Sequence, residues 1–415
     1  MSTRPVAPRQ ATSLLRNRPF RRLWAAQFSA GTTLYALSLA GAVLVEEQTH
    51  SNTQISLVIL SSILPAFLTS LVAGAVVDRC GRVPVLLASH LARALVAAGF
   101  WAGTQFLPPS LALAAIYTTN VAAAVFSQFA LPAELALLPD LVDRPCLTSA
   151  NALLQFGMLA AEGLGIVALS PLVIKLAGPP AVGLVGAGLC LTAAALVAAL
   201  PRQPSTAKEE AAQASLLTDL QAGWRTIVRD RVLSLVVLQA TLAATLLLVL
   251  LSLVPGLVSR HLGLGVEDAP LLVLPGGLGF VLGSWLIGRW ERWLSRPAWI
   301  AFGLTGLGAS IGLLGALSGE PGTGRLWLLL PLIVGIGLAL ALIIIPARTI
   351  LQERPPAPQR GRVIAAQLAL ANAVAVIPLL LGGALADHLG VRPVMALLSL
   401  LAVGAGAVGL HQMRS

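Results

Sequence analysis

The sequence is poor in charged residues and in cysteine. Lysine, arginine, aspartate and glutamate make up 11% of its 415 residues, whereas 57% are hydrophobic. Soluble domains carry more than twice that share of charge, so a soluble enzyme is excluded. Three cysteines form no disulfide framework, which also excludes a disulfide-stapled secreted fold.

The sequence also lacks the motif of an ATPase. A P-loop needs Gly-Lys followed by Ser or Thr, but the lysines Lys175 and Lys208 are followed by Leu and Glu. No His-Glu-x-x-His or Cys-x-x-Cys motif occurs either. We therefore expect no enzymatic activity, no metal site and no cofactor, and an energy source that is a gradient or a partner.

Long apolar runs dominate the chain. A membrane-spanning helix takes roughly 20 apolar residues, and twelve runs of about this length can be delimited. They cover residues 23–45, 53–77, 83–106, 110–133, 149–174, 179–200, 232–258, 269–290, 297–318, 325–347, 362–386 and 391–411. The first run is too long for a signal-peptide core, so we expect it to be retained. The fold class predicted is an all-α membrane protein with twelve transmembrane helices.

The basic residues indicate how these helices are oriented. The net charge of +10 suggests nucleic-acid binding only if the bases share one face, and here they separate the apolar runs. Of the 27 basic residues, 22 fall in segments on one side of the membrane and four on the other. The positive-inside rule then predicts that both termini are cytoplasmic, in the cytoplasmic membrane.

The chain divides into two halves that resemble each other. Residues 1–200 are predicted to form an N-terminal six-helix bundle, 201–231 a cytoplasmic central loop, and 232–415 a C-terminal six-helix bundle. Segment 20–27 aligns with 232–239 after a shift of 212 residues, which also places Gly178 on Gly390. Pro132-Ala133 and Pro346-Ala347 align after a shift of 214. Duplicated bundles are typical of secondary transporters. Within the central loop, apolar residues at helical spacing predict a helix along the membrane surface.

A nine-residue loop between the second and third spans is identified by its pattern. Gly74-Ala75-Val76-Val77-Asp78-Arg79-Cys80-Gly81-Arg82 resembles the signature loop of the major facilitator superfamily, G-x-x-x-D-R-x-G-R. The resemblance implies two six-helix bundles and a conformational latch formed by Gly74, Asp78, Arg79, Gly81 and Arg82. A carboxylate at Asp78 can pair with arginine or cap a neighbouring helix N-terminus. The alternative is that Arg79 and Arg82 only anchor the topology.

Further segments point to a subgroup of this superfamily. Leu137–Val142, Ser149–Ala152, Arg360–Val363 and Gly382–Asp387 resemble the bacterial exporters related to the enterobactin and macrolide efflux proteins. The chain departs from the Gly-Pro-x-x-Gly-Gly motif that many antiporters of the superfamily carry in the fifth span. Its corresponding stretch, Ala161-Glu162-Gly163-Leu164-Gly165-Ile166, has an acid in place of proline.

Two charged residues are predicted to lie deep in the membrane. Glu162 lies about 16 Å into its span, counted from Asn151 at 1.5 Å per residue, and a charge there costs roughly 2.5–3.5 kcal/mol. It is a candidate for proton coupling or cation binding, or else a buried acid satisfied by arginine or hydroxyls. Arg93 lies similarly deep, with His90 on the same helical face. Arg93 either pairs with Glu162 or extends towards the cytoplasm.

The resemblance places the substrate cavity between the first, fourth, seventh and tenth spans. Their few polar residues are the candidates for substrate contact, with helix–helix hydrogen bonding as the alternative. These residues are Gln27, Thr32, Tyr35, Asn120, Gln128, Gln239 and Thr245. A mostly apolar cavity favours a small amphipathic or hydrophobic organic substrate.

The resulting hypothesis is a secondary active transporter that exports such molecules by alternating access, in a drug- or siderophore-like substrate range. We expect protons as the coupling ion, the lipid bilayer as the environment, no nucleic acid as a partner, and a monomer. Two alternatives stay open: a lysolipid or lipid flippase, and a non-transporting membrane sensor on the same fold.

Overall fold

The computed structural model describes residues 14, 16–143, 146–201, 216–261, 265–290, 294–317, 326–356 and 359–412. Regular structure in these segments is helical throughout. This follows from the composition, because a chain surrounded by lipid must satisfy its backbone hydrogen bonds within each segment, as a helix does.

In its described residues, the first half of the chain contains long helices that follow one another closely. They are α1 (Arg18–Thr49), α2 (Asn52–Cys80), α3 (Arg82–Phe106), α4 (Pro109–Leu141), α5 (Leu147–Gly163 and Ser170–Ala177, joined by the π-helical turn Leu164–Leu169) and α6 (Ala181–Ala198). Helix α3, with 25 residues, extends about 37 Å at 1.5 Å per residue, which exceeds the roughly 30 Å of a bilayer core.

The second half begins with a helix that the span prediction does not contain. The described helices are α7 (Leu216–Arg229), α8 (Arg231–His261), α9 (Ala269–Trp290), α10 (Arg296–Leu317), α11 (Leu326–Glu353), α12 (Arg360–Leu389) and α13 (Val391–Gln412). A short 3₁₀ turn, Val266–Asp268, precedes α9.

Ten helices in the described part of the chain are long and apolar enough to cross a membrane. Helices α2 and α9, which are not among the ten, coincide with the second and eighth predicted spans. Large apolar side chains such as Leu95, Leu176 and Trp327 are 75–79% exposed, as lipid-facing residues are expected to be. The prediction of a multi-pass helical membrane protein is therefore confirmed, and the number of twelve spans stays a prediction.

The chain separates into two compact units. One comprises Met1–Gln48 and Ser61–Ala211, and the other Thr49–Leu60 and Ala212–Ser415. Helix α2 is thus divided, because its first turns are grouped with the second unit and the rest with the first. The predicted domains 1–200, 201–231 and 232–415 stay a prediction.

Each unit has its own apolar core and the same internal packing. In the first unit, α3 packs against α4 and α6; in the second, α10 packs against α11 and α13. These are the third, fourth and sixth predicted spans of each half. Fully buried core residues of the first unit include Phe20, Leu23, Leu86 and Leu154, and those of the second include Leu233, Leu304, Ile343 and Met395.

Equivalent helix ends repeat between the two units. Gly178 ends α5 with φ +83° and Gly390 ends α12 with φ +89°, a region that other residues rarely adopt. Each glycine N–H donates to the carbonyl four residues earlier, Ile174 or Ala386. The sequence alignment of these two glycines is therefore matched by their geometry.

The first predicted span of each half, α1 or α8, begins with the same kind of N-cap. Asn17 Oδ1 accepts from the Phe20 amide (3.3 Å) at the start of α1, and Asp230 Oδ1 accepts from the Leu233 amide (3.1 Å) at the start of α8. Both caps also bond to residues near the end of the fourth span of their unit. Asn17 Nδ2 donates to the Leu141 carbonyl (2.8 Å), and Arg354 Nε donates to Asp230 Oδ2 (2.5 Å). These four contacts support the predicted duplication.

Helix α7 forms where apolar spacing predicts a helix in the central loop. Its Ile227 is 2% exposed and belongs to the core of the second unit. Thr226 Oγ1 donates to Gln359 Oε1 (2.7 Å) just before α12. Trp224 and Val228 remain 47% and 58% exposed, so one face of α7 is packed and another is open. Its position along a membrane surface stays a prediction.

Candidate functional site

The predicted signature loop lies where α2 ends and α3 begins. Cys80 ends α2, and Gly81 follows with φ +86°, which explains why glycine is required there. Arg82 begins α3 and forms an ion pair with Asp140, near the end of α4. Arg79 is exposed. The structure thus gives Arg82 an acidic partner within its own unit.

The other two residues of the predicted latch lie on α2. Gly74 and Asp78 fall within Asn52–Cys80, but their side chains lie outside the part of the structure that is described. The role of the loop as a conformational latch therefore stays a prediction.

The second unit contains an equivalent of the Arg82 ion pair. Arg296, at the start of α10, pairs with Glu353 at the end of α11. Arg296 follows Arg82 by 214 residues, and Glu353 follows Asp140 by 213. Because both pairs connect the third and fourth spans of their unit, they form part of the duplicated framework rather than of a site unique to one half.

Glu162 lies at an irregular part of α5. The π-helical turn Leu164–Leu169 begins two residues after it, and such turns are frequent at functional sites. Tyr35 of α1 forms a side-chain hydrogen bond with Glu162, which is partly buried. A Cβ at Gly165 would lie 2.6 Å from the Thr32 carbonyl oxygen, so the α1 and α5 backbones are in direct contact here. The departure from the antiporter motif thus coincides with a π turn and a close helix contact.

Arg93 is nearly enclosed in the first unit. It is 6% exposed, and its Nη2 donates to the Ala30 carbonyl of α1. His90, one helical turn earlier, is 0% exposed, and neither ring nitrogen has a hydrogen-bond partner in the described structure. Within the same described residues no ion pair joins Arg93 to Glu162, whose hydrogen bond comes from Tyr35 instead.

Glu134 is a buried acid that the sequence analysis missed. It is 4% exposed on α4, and Arg93 acts electrostatically on it, as it does on Tyr35 and His90. The predicted fourth span ended at residue 133, whereas α4 continues to Leu141. The apolar pairs that follow, Leu137-Leu138 among them, were the available signal that the helix and its buried face extend further.

The polar residues predicted to line the cavity separate into two groups. Thr32 and Thr245 are buried, but each hydroxyl donates to a carbonyl four residues earlier in its own helix, at 2.8 and 2.9 Å. Such bonds satisfy the hydroxyl locally. Tyr35 contacts Glu162, and Gln128 is partly buried. These four residues therefore have either a partner or access to their surroundings.

The remaining three residues are buried, and each has a polar atom without a hydrogen-bond partner among the described residues. Gln27 is 7% exposed, Asn120 8% and Gln239 3%. Gln27 Oε1, Asn120 Nδ2 and Gln239 Oε1 have no hydrogen-bond partner among the described residues. Gln27 and Gln239 are aligned by the predicted shift of 212 residues between the two halves. A buried polar atom without a partner costs free energy, so these three are the strongest candidates for contact with a bound molecule.

Comparison with known proteins identifies the family. The family model of the Major Facilitator Superfamily matches residues 23–378. Two solved structures share the fold at low sequence identity. A bacterial homologue of the iron transporter ferroportin, in an inward-facing state, has a TM-score of 0.70 at 16% identity, over 95% of this chain and 99% of that chain. The nucleoside transporter NupG has a TM-score of 0.69 at 15% identity, over 95% and 99%.

Curated relatives match a shorter stretch. The enterobactin exporter EntS of Salmonella typhi is 33% identical over 143 residues, which are 34% of this chain and 34% of that protein. EntS of Shigella boydii serotype 18 is 34% identical over a stretch of the same length. The match thus spans about a third of the length of these relatives. The family model, in contrast, covers most of the chain and agrees with the helical architecture: this chain belongs to the Major Facilitator Superfamily and is a membrane transporter.

Proposed function

We propose that this transporter exports small amphipathic or hydrophobic organic molecules across the cytoplasmic membrane, by alternating access and in exchange for protons. The stretch shared with the enterobactin exporters supports the export direction and a siderophore-like or drug-like substrate. Gln27 and Asn120 in the first unit, and Gln239 in the second, are the candidates for substrate contact, because each has a buried polar atom without a partner among the described residues. A few hydrogen-bonding groups in an apolar site suit an amphipathic molecule better than a sugar or a phosphate.

The observation that carries the proton coupling is a mismatch of charge in the first unit. Away from the ends of helices α3 to α5, the acidic and basic residues are two carboxyl groups, Glu134 and Glu162, and one guanidinium, Arg93. Charged groups within a membrane must be paired or neutralised. Arg93 can neutralise one carboxylate, and a proton on the other removes the remaining charge. The carboxyl group would release that proton to water on one side of the membrane and take up a proton on the other, and this cycle would drive transport.

The role of Tyr35 in this scheme is to hold Glu162. Its hydrogen bond ties the carboxyl group of α5 to α1, beside the π turn where the helix backbone is least regular. Loss of the Glu162 charge on protonation would weaken that bond, because a charged acceptor binds about twice as strongly as a neutral one. The contact between α1 and α5 would thereby respond to the protonation state.

The experiment uses everted membrane vesicles, in which export is measured as uptake. Ethidium and enterobactin serve as probes, and a pH gradient drives transport. We expect Glu162→Gln and Glu134→Gln each to reduce gradient-driven uptake by about tenfold or more, within the range of 5–150-fold typical of coupling between sites. Asp143→Asn is the matched control, because it removes an exposed acid and should leave uptake unchanged.

Three outcomes would contradict the proposal. Full gradient-driven uptake by both glutamine variants would remove proton coupling through these acids. Flux of a fluorescent lysolipid without flux of ethidium or enterobactin would favour the flippase. No flux of any probe by the wild-type protein would favour the non-transporting sensor.

A further inference from the structure

The first turn of α2 is held by a carboxylate from the far end of the sequence. Asp387, near the end of α12, accepts five hydrogen bonds from three consecutive residues that belong with it to the second unit. Its Oδ1 accepts from the Asn52 amide (2.7 Å) and from Asn52 Nδ2 (3.0 Å). Its Oδ2 accepts from the Thr53 amide (3.0 Å), Thr53 Oγ1 (2.6 Å) and Ser51 Oγ (2.7 Å). Asp387 therefore acts as the cap of a helix that is not its own.

A cap of this kind is favourable for two reasons. The first amides of a helix have no partner within the helix, and Asp387 satisfies two of them. The positive end of the helix dipole also favours a negative charge at this position. Unlike an ordinary N-cap, this carboxylate lies on a separate helix, so the interaction can be made and broken without unfolding α2.

Two further contacts strengthen the attachment of this turn. Arg260, near the end of α8, donates to Asn52 Oδ1 (2.8 Å) and to the His50 carbonyl (3.1 Å). A Cβ at Gly383 would lie 2.5 Å from Ser56 Oγ and 2.8 Å from the Asn52 carbonyl oxygen. Glycine thus allows α12 to touch α2 directly, one turn before Asp387.

The chain around this segment has the features of a hinge at both ends. His50 precedes α2 with φ +47°, unusual for a residue other than glycine. Pro65 lies within α2, soon after Leu60, where the grouping of α2 passes to the first unit. Proline removes a helix hydrogen bond and permits a kink. Segment 49–60 can therefore change its angle relative to the remainder of α2.

From these contacts we propose that Asp387 is a detachable cap, on the predicted extracytoplasmic side, that holds segment 49–60 on α12 and releases it during the transport cycle. In the structure the cap is formed, because all five hydrogen bonds to Asp387 are present. The inference rests on the proposed alternating access. The proposed cap joins α2 and α12 on the predicted extracytoplasmic side, whereas the predicted signature-loop latch lies at the opposite end of α2.

The test measures exposure of the interface without a transported substrate. Cys80, Cys146 and Cys190 are first replaced by serine in the full-length protein, and Ser56→Cys is added as the reporter. Ser56 is 0% exposed, and its hydroxyl has no partner among the described residues, so the change removes no hydrogen bond. Intact spheroplasts are then treated with a membrane-impermeant maleimide, and the rate of labelling is recorded.

Asp387→Asn should increase the labelling rate about tenfold, which corresponds to about 1.4 kcal/mol and to the loss of one helix N-cap. Thr53→Val removes one donor only and should act in the same direction, by a smaller factor. Glu267→Gln removes an acid from the 3₁₀ turn before α9, on the same predicted side, and should change nothing. If Asp387→Asn fails to accumulate in the membrane, Thr53→Val combined with Ser51→Ala provides the same comparison.

Equal labelling of Asp387→Asn and its parent would overturn the proposal, as would an equal increase in Glu267→Gln. These outcomes differ from failure of the proposed function. Increased labelling in a protein that transports none of the probes would keep the detachable cap and reject export. Unchanged labelling in a protein with active, proton-driven export would reject the cap alone.

Discussion

Adding one methyl group at Gly183 should destabilise the first unit. Gly183 lies on α6 where α3 crosses it most closely. A Cβ at this position would lie 2.7 Å from both the Ala97 carbonyl oxygen and the Trp101 amide nitrogen, and 3.0 Å from Phe100 Cδ1. The first two neighbours are backbone atoms of a helix, so they cannot rotate away as a flexible side chain would. Gly183→Ala therefore has to separate α3 from α6.

The magnitude follows from two opposing effects. Overpacking of a tight contact costs about 1–3 kcal/mol, whereas replacing glycine by alanine within a helix gains about 0.5–1 kcal/mol. Gly188, on the same helix, has no atom within 4 Å of its would-be Cβ, so Gly188→Ala should show the gain alone. The helix gain is common to both variants, so they are expected to differ by the overpacking cost alone, about 1–3 kcal/mol in the free energy of unfolding.

The assay is thermal unfolding in detergent, followed by a thiol-reactive dye. Cys190 on α6 is 0% exposed and becomes reactive when the helix separates, while exposed Cys80 contributes a constant early signal. Gly183→Ala should unfold several degrees below Gly188→Ala. Equal unfolding temperatures would refute the reasoning, because they would mean that the α3–α6 contact is not limited by backbone approach.

Two further predictions concern charges at the helix ends. Partial burial raises the pKa of Asp230, but the hydrogen bonds from Arg354 and from two backbone amides outweigh it and hold the pKa below its ordinary value. Its stabilisation should therefore be complete above the ordinary pKa and be lost as the pH falls through the lower folded-state pKa. The unfolding temperature of Asp230→Asn should accordingly depend less on pH below about pH 4 than that of the parent protein. An unfolding temperature that falls equally steeply with pH in both proteins would contradict this. Asp140→Arg should weaken the protein by about 0.2–1 kcal/mol, and adding Arg82→Asp should restore part of the loss. A double variant no more stable than the sum of the single variants would show that the pair contributes nothing.

Part of the candidate site could be read from the sequence. Counting residues along apolar runs predicted deep positions for Glu162 and Arg93, and both residues are at least partly buried within the protein. The sequence did not predict that Glu134 is buried, because Pro132 and the acid itself are typical of the end of a span. Whether an acid after a proline lies inside a helix depends on what packs against the next two turns, and that is a tertiary property.

Which polar residues have a hydrogen-bond partner could be determined only from the tertiary structure. Gln27, Thr32, Asn120 and Thr245 are equally polar residues in apolar runs. Only the structure shows that the two threonine hydroxyls bond to their own helices, while the amide side chains retain an unpartnered atom. A helix can satisfy a short hydroxyl from within, whereas a longer amide needs a partner from another helix or a ligand.

The sequence by itself determined that this protein is built of membrane helices, and it predicted that they form two related halves. Apolar runs long enough to cross a bilayer permit little else, and helix formation needs only local hydrogen bonds. Tertiary structure alone decided which side chains meet. The cap that Asp387 places on Asn52 joins residues 335 positions apart, and Glu134 and Arg93, which interact electrostatically, lie on different helices. Such pairings depend on how helices pack, which no local pattern of residues specifies.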